Sequence, residues 1–102
     1  MTINSRQKGV QFEIKIINEL KDIGYKAVSS RAESKNMDDK GVDIIDNTDY
    51  YFQCKAVEQM KQSYHDILKG MPKEKVPIVI HKRNNKGTVA VMDWEVFKKL
   101  ML

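Results

Sequence analysis

The chain has 102 residues, of which 41% are hydrophobic and 31% are charged, which predicts one domain over residues 1–102 and excludes a disordered chain. Its net charge of +4 permits binding to a polyanion without requiring it. Charges interrupt every apolar run well short of the roughly 20 residues that cross a bilayer, so we expect neither an export signal nor a membrane span. The single cysteine, Cys54, excludes an internal disulfide and favours a reducing cytoplasm.

The first half of the chain is predicted to form one helix and three strands. Apolar residues recur at helical spacing over residues 6–23, with Ser5 as the expected cap and Gly24 as the expected end. The polar residues 32–40 are predicted to form a loop. Asn47-Thr48-Asp49 is a turn sequence, so the strands on either side of it are expected to form a hairpin. The predicted strands cover residues 25–30, 42–46 and 50–55.

The second half alternates between helix and strand signals. Helical spacing over residues 57–70 is followed by β patterns over residues 76–81 and 88–92. Asp93 is expected to cap a last amphipathic helix with four apolar side chains, which are Trp94, Val96, Phe97 and Leu100. The order αβββαββα predicts an α/β fold with a mixed central sheet flanked by helices.

The register of the predicted hairpin places three polar residues on one side of the sheet. If residues 47–49 form its loop, Asp43 lies opposite Gln53, with Cβ atoms about 5 Å apart, and Lys55 follows on the same side. The other side is predicted to be buried. It carries Val42, Ile44, Phe52 and Cys54.

Glu13 lies inside the apolar stripe of the first predicted helix. At about 100° per residue it falls between Ile17 and Leu20 rather than on the polar side. Because an isolated buried carboxylate is costly, we expect it to reach a cation at the sheet edge or to accept a local hydrogen bond. A misjudged helix phase is the alternative.

Together these side chains suit a hard divalent cation and phosphoryl-transfer chemistry. Mg²⁺ needs only one or two carboxylates, which Glu13 and Asp43 would provide, and Mn²⁺ is expected to substitute for it. Gln53 would add a side-chain oxygen, and Cys54 its backbone carbonyl. Water activated at the cation would be the nucleophile, while Lys55 would orient it or neutralise charge on the phosphate. The predicted reaction is phosphodiester hydrolysis.

Three short motifs in this order give the chain a family resemblance. They are Lys8-Gly9-x-x-Phe12-Glu13, Gly41-Val42-Asp43-Ile44 and Gln53-Cys54-Lys55. The chain resembles the PD-(D/E)XK nuclease superfamily, in particular its small Holliday junction resolvases of the archaeal and phage type. The resemblance runs from about residue 5 to residue 93 and implies a restriction-endonuclease-like core.

The resemblance also implies roles for individual residues. Glu13, Asp43, Gln53 and Lys55 would be the catalytic positions of a homodimer that cuts opposed strands of a four-way DNA junction. Family members usually have Glu where this chain has Gln53, so weaker metal binding is expected here. A family serine in the loop after the first strand corresponds to Ser30 or Ser34, and both remain open.

Basic and hydroxyl side chains around this site are candidates for contacts with the DNA backbone. Each of them alone is typical of a solvated surface. The candidates are Arg6, Lys8, Ser30, Arg31, Ser34, Lys35, Lys82 and Arg83.

Other interpretations of the same residues stay open at the sequence level. The chain could cut other branched or nicked DNA, bind DNA without cutting it, or be a small interaction protein that only resembles a nuclease. Asp43 could also form an ordinary surface ion pair with Lys55, contributing under about 1 kcal/mol.

Overall fold

In the computed structural model, which describes residues 5–33, 35–46 and 49–102, the chain begins with helix α1 (Ser5–Asp22). The helix ends at Gly24, whose φ of +106° lies in the region that favours glycine. The Tyr25 amide then donates back to the Leu20 carbonyl at 3.0 Å. The predicted end of the helix is confirmed, and Ser5 is the first residue of the helix within the described part of the chain.

Within the described residues, five strands form one mixed sheet, whose order is β1 (Val28–Ser29), β2 (Ile44–Ile45), β3 (Tyr50–Lys55), β4 (Val76–Lys82) and β5 (Thr88–Val91). Neighbouring strands are antiparallel except β3 and β4, which are parallel. Helix α4 (Tyr64–Gly70) lies in the connection between these two, as a parallel pair requires. The predicted α/β fold with a mixed central sheet is confirmed.

Several predicted boundaries were wrong. The polar segment predicted as a loop contains two short helices, α2 (Ser30–Glu33) and α3 (Lys35–Asp39), which lack the apolar periodicity that signals a helix. The helix predicted from residue 57 begins only at Tyr64, because the Ser63 side chain caps it by accepting from the Asp66 amide at 3.1 Å. Residues 47 and 48 of the predicted turn lie outside the described residues.

Both faces of the sheet are covered by helices, so the core has two layers. Ile44 and Phe52 lie on the α1 face, and Val42 and Tyr51 lie on the α4 face. The prediction that Val42 shares a face with Ile44 was wrong. Phe52 pairs with Ile44, yet its carbonyl accepts a hydrogen bond from the Asp43 amide at 2.8 Å. The backbone therefore departs from regular pairing at Asp43, and the alternation of side chains between the two faces fails at the same place.

Helix α5 (Trp94–Leu100) follows directly on β5. The Asp93 side chain accepts from the Val96 amide at 3.2 Å, which confirms the predicted cap. None of the residues of α5 is buried. Across the part of the chain that the structure describes, none of the helices combines the length and the apolar composition of a membrane span.

Candidate active site at the end of strand β3

The hairpin register brings Asp43 to the carboxyl end of β3. Ile44 pairs with Phe52 and Ile45 with Tyr51, as the sequence predicts. The Asp43 carboxylate then accepts a hydrogen bond from the Cys54 amide at 2.8 Å. This bond fixes the carboxylate against the edge of β3. The carboxylate takes the place of a backbone carbonyl of a neighbouring strand, which would otherwise accept the hydrogen bond from the Cys54 amide.

Gln53 and Lys55 share one side of β3, as alternation along a strand requires. The Gln53 side-chain amide is oriented so that both its nitrogen and its oxygen have hydrogen-bond partners. The nitrogen donates to the Gly41 carbonyl at 2.9 Å, and the oxygen accepts from Lys55 Nζ at 3.2 Å. Gly41 has a φ of +82°, and a Cβ there would lie only 3.2 Å from the Gln53 amide. Glycine therefore lets the backbone before Asp43 approach this amide closely.

Glu13 is buried, with 8% of its surface exposed, which confirms its predicted position in the apolar stripe of α1. Its Oε1 accepts from Arg31 at 3.1 Å and from the Ser29 hydroxyl at 3.0 Å. The expectation that the acid reaches a cation at the sheet edge is thus confirmed. The cation is Arg31, which stands just beyond β1.

The electrostatics of the site centre on Asp43. The pKa of its carboxyl is raised to about 6, chiefly by burial and also by the negative charges of Glu13 and Asp38, while the Cys54 amide and the Lys55 charge oppose the shift. Burial also raises the pKa of the Cys54 thiol. Because this thiol packs against the α1 layer and stays protonated, it behaves as a small apolar side chain and not as a reactive nucleophile.

Carboxylate and amide oxygens are the ligands that a hard divalent cation prefers. Across residues 5–33, 35–46 and 49–102, no group of three or more His, Cys, Asp or Glu side chains is placed to hold a metal ion. Of the predicted ligands, Asp43 and Glu13 are charged neighbours at the end of β3, whereas Gln53 follows Tyr51 on the α4 face, opposite the face that α1 covers. A cation would relieve the repulsion that Glu13 and Asp38 exert on Asp43.

Lys55 does not form an ion pair with Asp43 within the described part of the chain. Its ammonium reaches the Gln53 amide instead, while its charge still acts on Asp43 through space. The alternative of a simple surface ion pair between the two is therefore wrong.

The predicted DNA-contacting residues are not equally available. Ser30 is fully buried, and its hydroxyl donates to Asp38 at 3.5 Å, so this side chain does not reach the surface of the free chain. Arg31 is paired with Glu13, and Arg83 with Glu58 at 3.4 Å. Ser34 lies outside the described residues, and Lys35 lies in α3.

Lys8 and Lys82 meet at a cavity of about 240 Å³ between α1 and the end of β4. Lys15, which the sequence argument missed, lines the same cavity, and we name these three residues the lysine pocket. Lys8 Nζ donates to Asn84 Oδ1 at 2.7 Å, which ties α1 to the turn after β4. Arg6 is exposed on the first turn of α1.

Two residues that contact the site were also missed. Ser29 bonds Glu13, and Asp38 acts electrostatically on Asp43. Alternation along β1 could have found Ser29, because the buried Ala27 points to the α1 layer and Ser29 shares its side. Asp38 lies in α3, where no periodic signal exists.

His81 is buried and structural. Its Nδ1 lies 2.7 Å from the Tyr64 hydroxyl and its Nε2 lies 2.8 Å from the Val57 carbonyl. These bonds hold the segment after β3 and the first turn of α4 against β4.

Comparison with known proteins gives no match, whether with protein-family models, with curated protein sequences or with solved structures. The functional argument therefore depends on the geometry of the site.

Proposed function

We propose that this chain is a Mg²⁺-dependent DNA endonuclease with a PD-(D/E)XK-type, restriction-endonuclease-like core, acting in the cytoplasm as a homodimer on four-way junctions. One observation carries the proposal: Asp43, held on the Cys54 amide, has Glu13 and Lys55 as its charged neighbours at the end of β3. Two carboxylates and an ammonium around one strand end are groups suited to phosphodiester hydrolysis.

Each residue has a defined task in this proposal. Asp43 and Glu13 would hold the cation with help from the Gln53 oxygen and the Cys54 carbonyl, and Mn²⁺ would substitute for Mg²⁺. A divalent cation bound there would supply Lewis-acid chemistry at the scissile phosphate. Lys55 would leave the Gln53 amide and stabilise the negative charge that develops on the phosphate.

The lysine pocket supports the choice of a polyanionic substrate. Ala56, the residue after Lys55, lines the pocket together with the three lysines, so the pocket adjoins the end of β3 that carries the site. A phosphate of the substrate backbone at Lys8, Lys15 and Lys82 would place a neighbouring phosphodiester toward Lys55. Recognition would depend on backbone shape, and branched DNA other than a four-way junction is the alternative substrate.

One observation favours a second candidate, a DNA-binding module that does not cut. Arg31 already neutralises Glu13 at 3.1 Å, which would weaken a cation site that also lacks the usual third carboxylate at Gln53. For catalysis, Arg31 must move to the substrate phosphate and free Glu13. An Arg31→Ala variant would therefore bind Mg²⁺ more tightly if Glu13 is a ligand.

The test is cleavage of an end-labelled four-way junction with and without Mg²⁺. The wild type should give two symmetric nicked duplexes only when Mg²⁺ is present. Asp43→Asn and Lys55→Ala should each lower the single-turnover rate by about 100-fold or more while leaving junction binding nearly intact. Flap, nicked and plain duplex DNA serve as competing substrates.

Asp39→Asn and Lys69→Ala are matched controls, because they remove an exposed acid of α3 and an exposed lysine of α4. Both should cut at the wild-type rate. Tight junction binding with no cleavage under Mg²⁺ or Mn²⁺ would favour the binding module, and a chain that neither binds nor cuts DNA would overturn both candidates.

A further inference from the structure

Helix α5 presents an apolar stripe that the rest of its own chain leaves uncovered. Trp94 is 64% exposed and Met101 is 70% exposed, and Phe97 and Leu100 are exposed between them. The Trp94 and Phe97 rings stack with centroids 5.9 Å apart, so the stripe is continuous. Large contiguous apolar surface of this kind marks an interaction site.

A second uncovered apolar surface lies on the opposite face of the sheet. A groove of about 490 Å³ runs between α1 and β5. Ile23 on its rim is 71% exposed, although Ile16 and Ile80 at its base are buried. Most of the groove is apolar, its lining being Ile16, Glu19, Leu20, Asp22, Ile23, Ile80, Thr88, Val89 and Ala90.

The helix cannot fill the groove of its own chain. Val96 lines a cavity with Leu68 of α4, and Leu68 packs on the α4 face of the sheet. The groove includes Ile16 and Ile80, which belong to the α1 face. Only Met92 and Asp93 connect β5 to α5, which is too short a link for the helix to cross the sheet.

Charge complementarity links the two surfaces. The charged residues among the groove lining are Glu19 and Asp22, both acidic. The charged residues of α5 are Glu95, Lys98 and Lys99, and Glu95 pairs with Lys98 at 2.8 Å. An α5 seated in the groove would bring Lys99 to the acidic rim while its aromatic stripe covers the apolar base.

We propose that two copies of this chain dimerise by reciprocal exchange of α5, with each copy placing its helix in the α1–β5 groove of the other. The arrangement is self-complementary, because one chain carries both the helix and the groove, and it closes with two-fold symmetry. It rests on the dimer part of the proposed function, but its test measures mass and does not depend on cleavage.

The test is sedimentation equilibrium of the purified full chain at about 1–100 μM. The wild type should approach twice the 11.9 kDa mass of one chain. The double variant Trp94→Ser/Phe97→Ser should raise the dimer Kd by at least about 100-fold, since interface aromatics dominate binding. Both residues are exposed in the single chain, so circular dichroism should show an unchanged fold.

Two matched isoleucine variants test the groove. Ile23→Glu should dissociate the dimer, whereas Ile14→Glu, which alters an exposed isoleucine outside the groove, should not. Lys99→Glu should weaken the dimer about tenfold, and adding Asp22→Lys in the same chain should restore it.

A monomeric wild type at 100 μM would overturn the proposal, as would a dimer that survives the Trp94→Ser/Phe97→Ser change. A dimer that needs α5 but tolerates Ile23→Glu would also overturn it, because the helix would then pair with a surface other than the groove.

Discussion

Two regions of this molecule depart, in opposite ways, from the usual rule that charged side chains are exposed and large apolar side chains are buried. At the end of β3, charged groups are buried: Glu13 lies inside the α1 layer and Asp43 has a raised pKa. At α5, large apolar groups such as Trp94 are exposed. Buried charge indicates a charged ligand, and exposed apolar surface indicates a protein partner. The first departure supports the proposed charged substrate, and the second supports the proposed protein partner.

The largest effect expected from this comparison concerns stability. Ile44→Ala in the buried layer should cost about 3 kcal/mol of unfolding free energy, because Ile44 is fully buried and its removal leaves a cavity. Phe97→Ala should cost less than about 0.5 kcal/mol when the chain is dilute, since no partner then covers α5. Urea denaturation at low micromolar concentration measures both. A large loss in dilute Phe97→Ala would mean that α5 packs on its own chain.

The next effect concerns pH. Because the Asp43 pKa is about 6 in the folded state and about 3.9 when unfolded, the folded state holds the proton more tightly. The contribution of Asp43 to stability is therefore present at low pH and is lost as pH rises from about 4 to about 6. Compared with Asp43→Asn, the wild type should lose about 2–3 kcal/mol over this range. Urea unfolding at a series of pH values checks this difference.

The same urea unfolding measurement in the presence of Mg²⁺ tests whether Asp43 belongs to a cation site. At pH 7 it should stabilise the wild type, because a cation favours ionised Asp43, and it should leave Asp43→Asn unchanged. Asp39→Asn, which changes an exposed acid, should follow the wild type in both pH and Mg²⁺ response. Parallel wild-type and Asp43→Asn curves would remove Asp43 from the site.

The smallest effect concerns Gln53. Gln53→Glu adds a carboxylate to the candidate cation site, so Mg²⁺ should bind about tenfold more tightly and cleavage should be equal or faster. Without Mg²⁺ the variant should be less stable than the wild type at neutral pH, because a carboxylate cannot donate to the Gly41 carbonyl. Isothermal titration with Mg²⁺ measures the affinity. Complete loss of cleavage would show that the amide has another role.

The sequence predicted the parts of the site that follow regular periodicity. The register of β2 with β3 followed from placing the hairpin loop at residues 47–49, and the burial of Glu13 followed from helical spacing. The face of the sheet on which Val42 lies was predicted wrongly, because the backbone departs from regular pairing at Asp43. Side chains on either side of that residue therefore do not alternate between the faces in the regular way.

Partners of the predicted residues were harder to foresee than the residues themselves. Arg31 was predicted to contact DNA, but the fold pairs it with Glu13, since β1 ends beside α1. Likewise, the amphipathic pattern of α5 correctly predicted an apolar side but not that this side lacks a cover. Such pairings depend on which elements meet in space, and local spacing does not encode that.

The parallel pairing of β3 with β4 has a consequence for how the chain folds. The β2–β3 and β4–β5 pairs are each close in sequence and can form early. Joining β3 to β4 must instead close the long connection over residues 56–75, which is entropically costly. We expect this step to limit the folding rate, and stabilising α4 inside the connection to accelerate folding more than strengthening either hairpin.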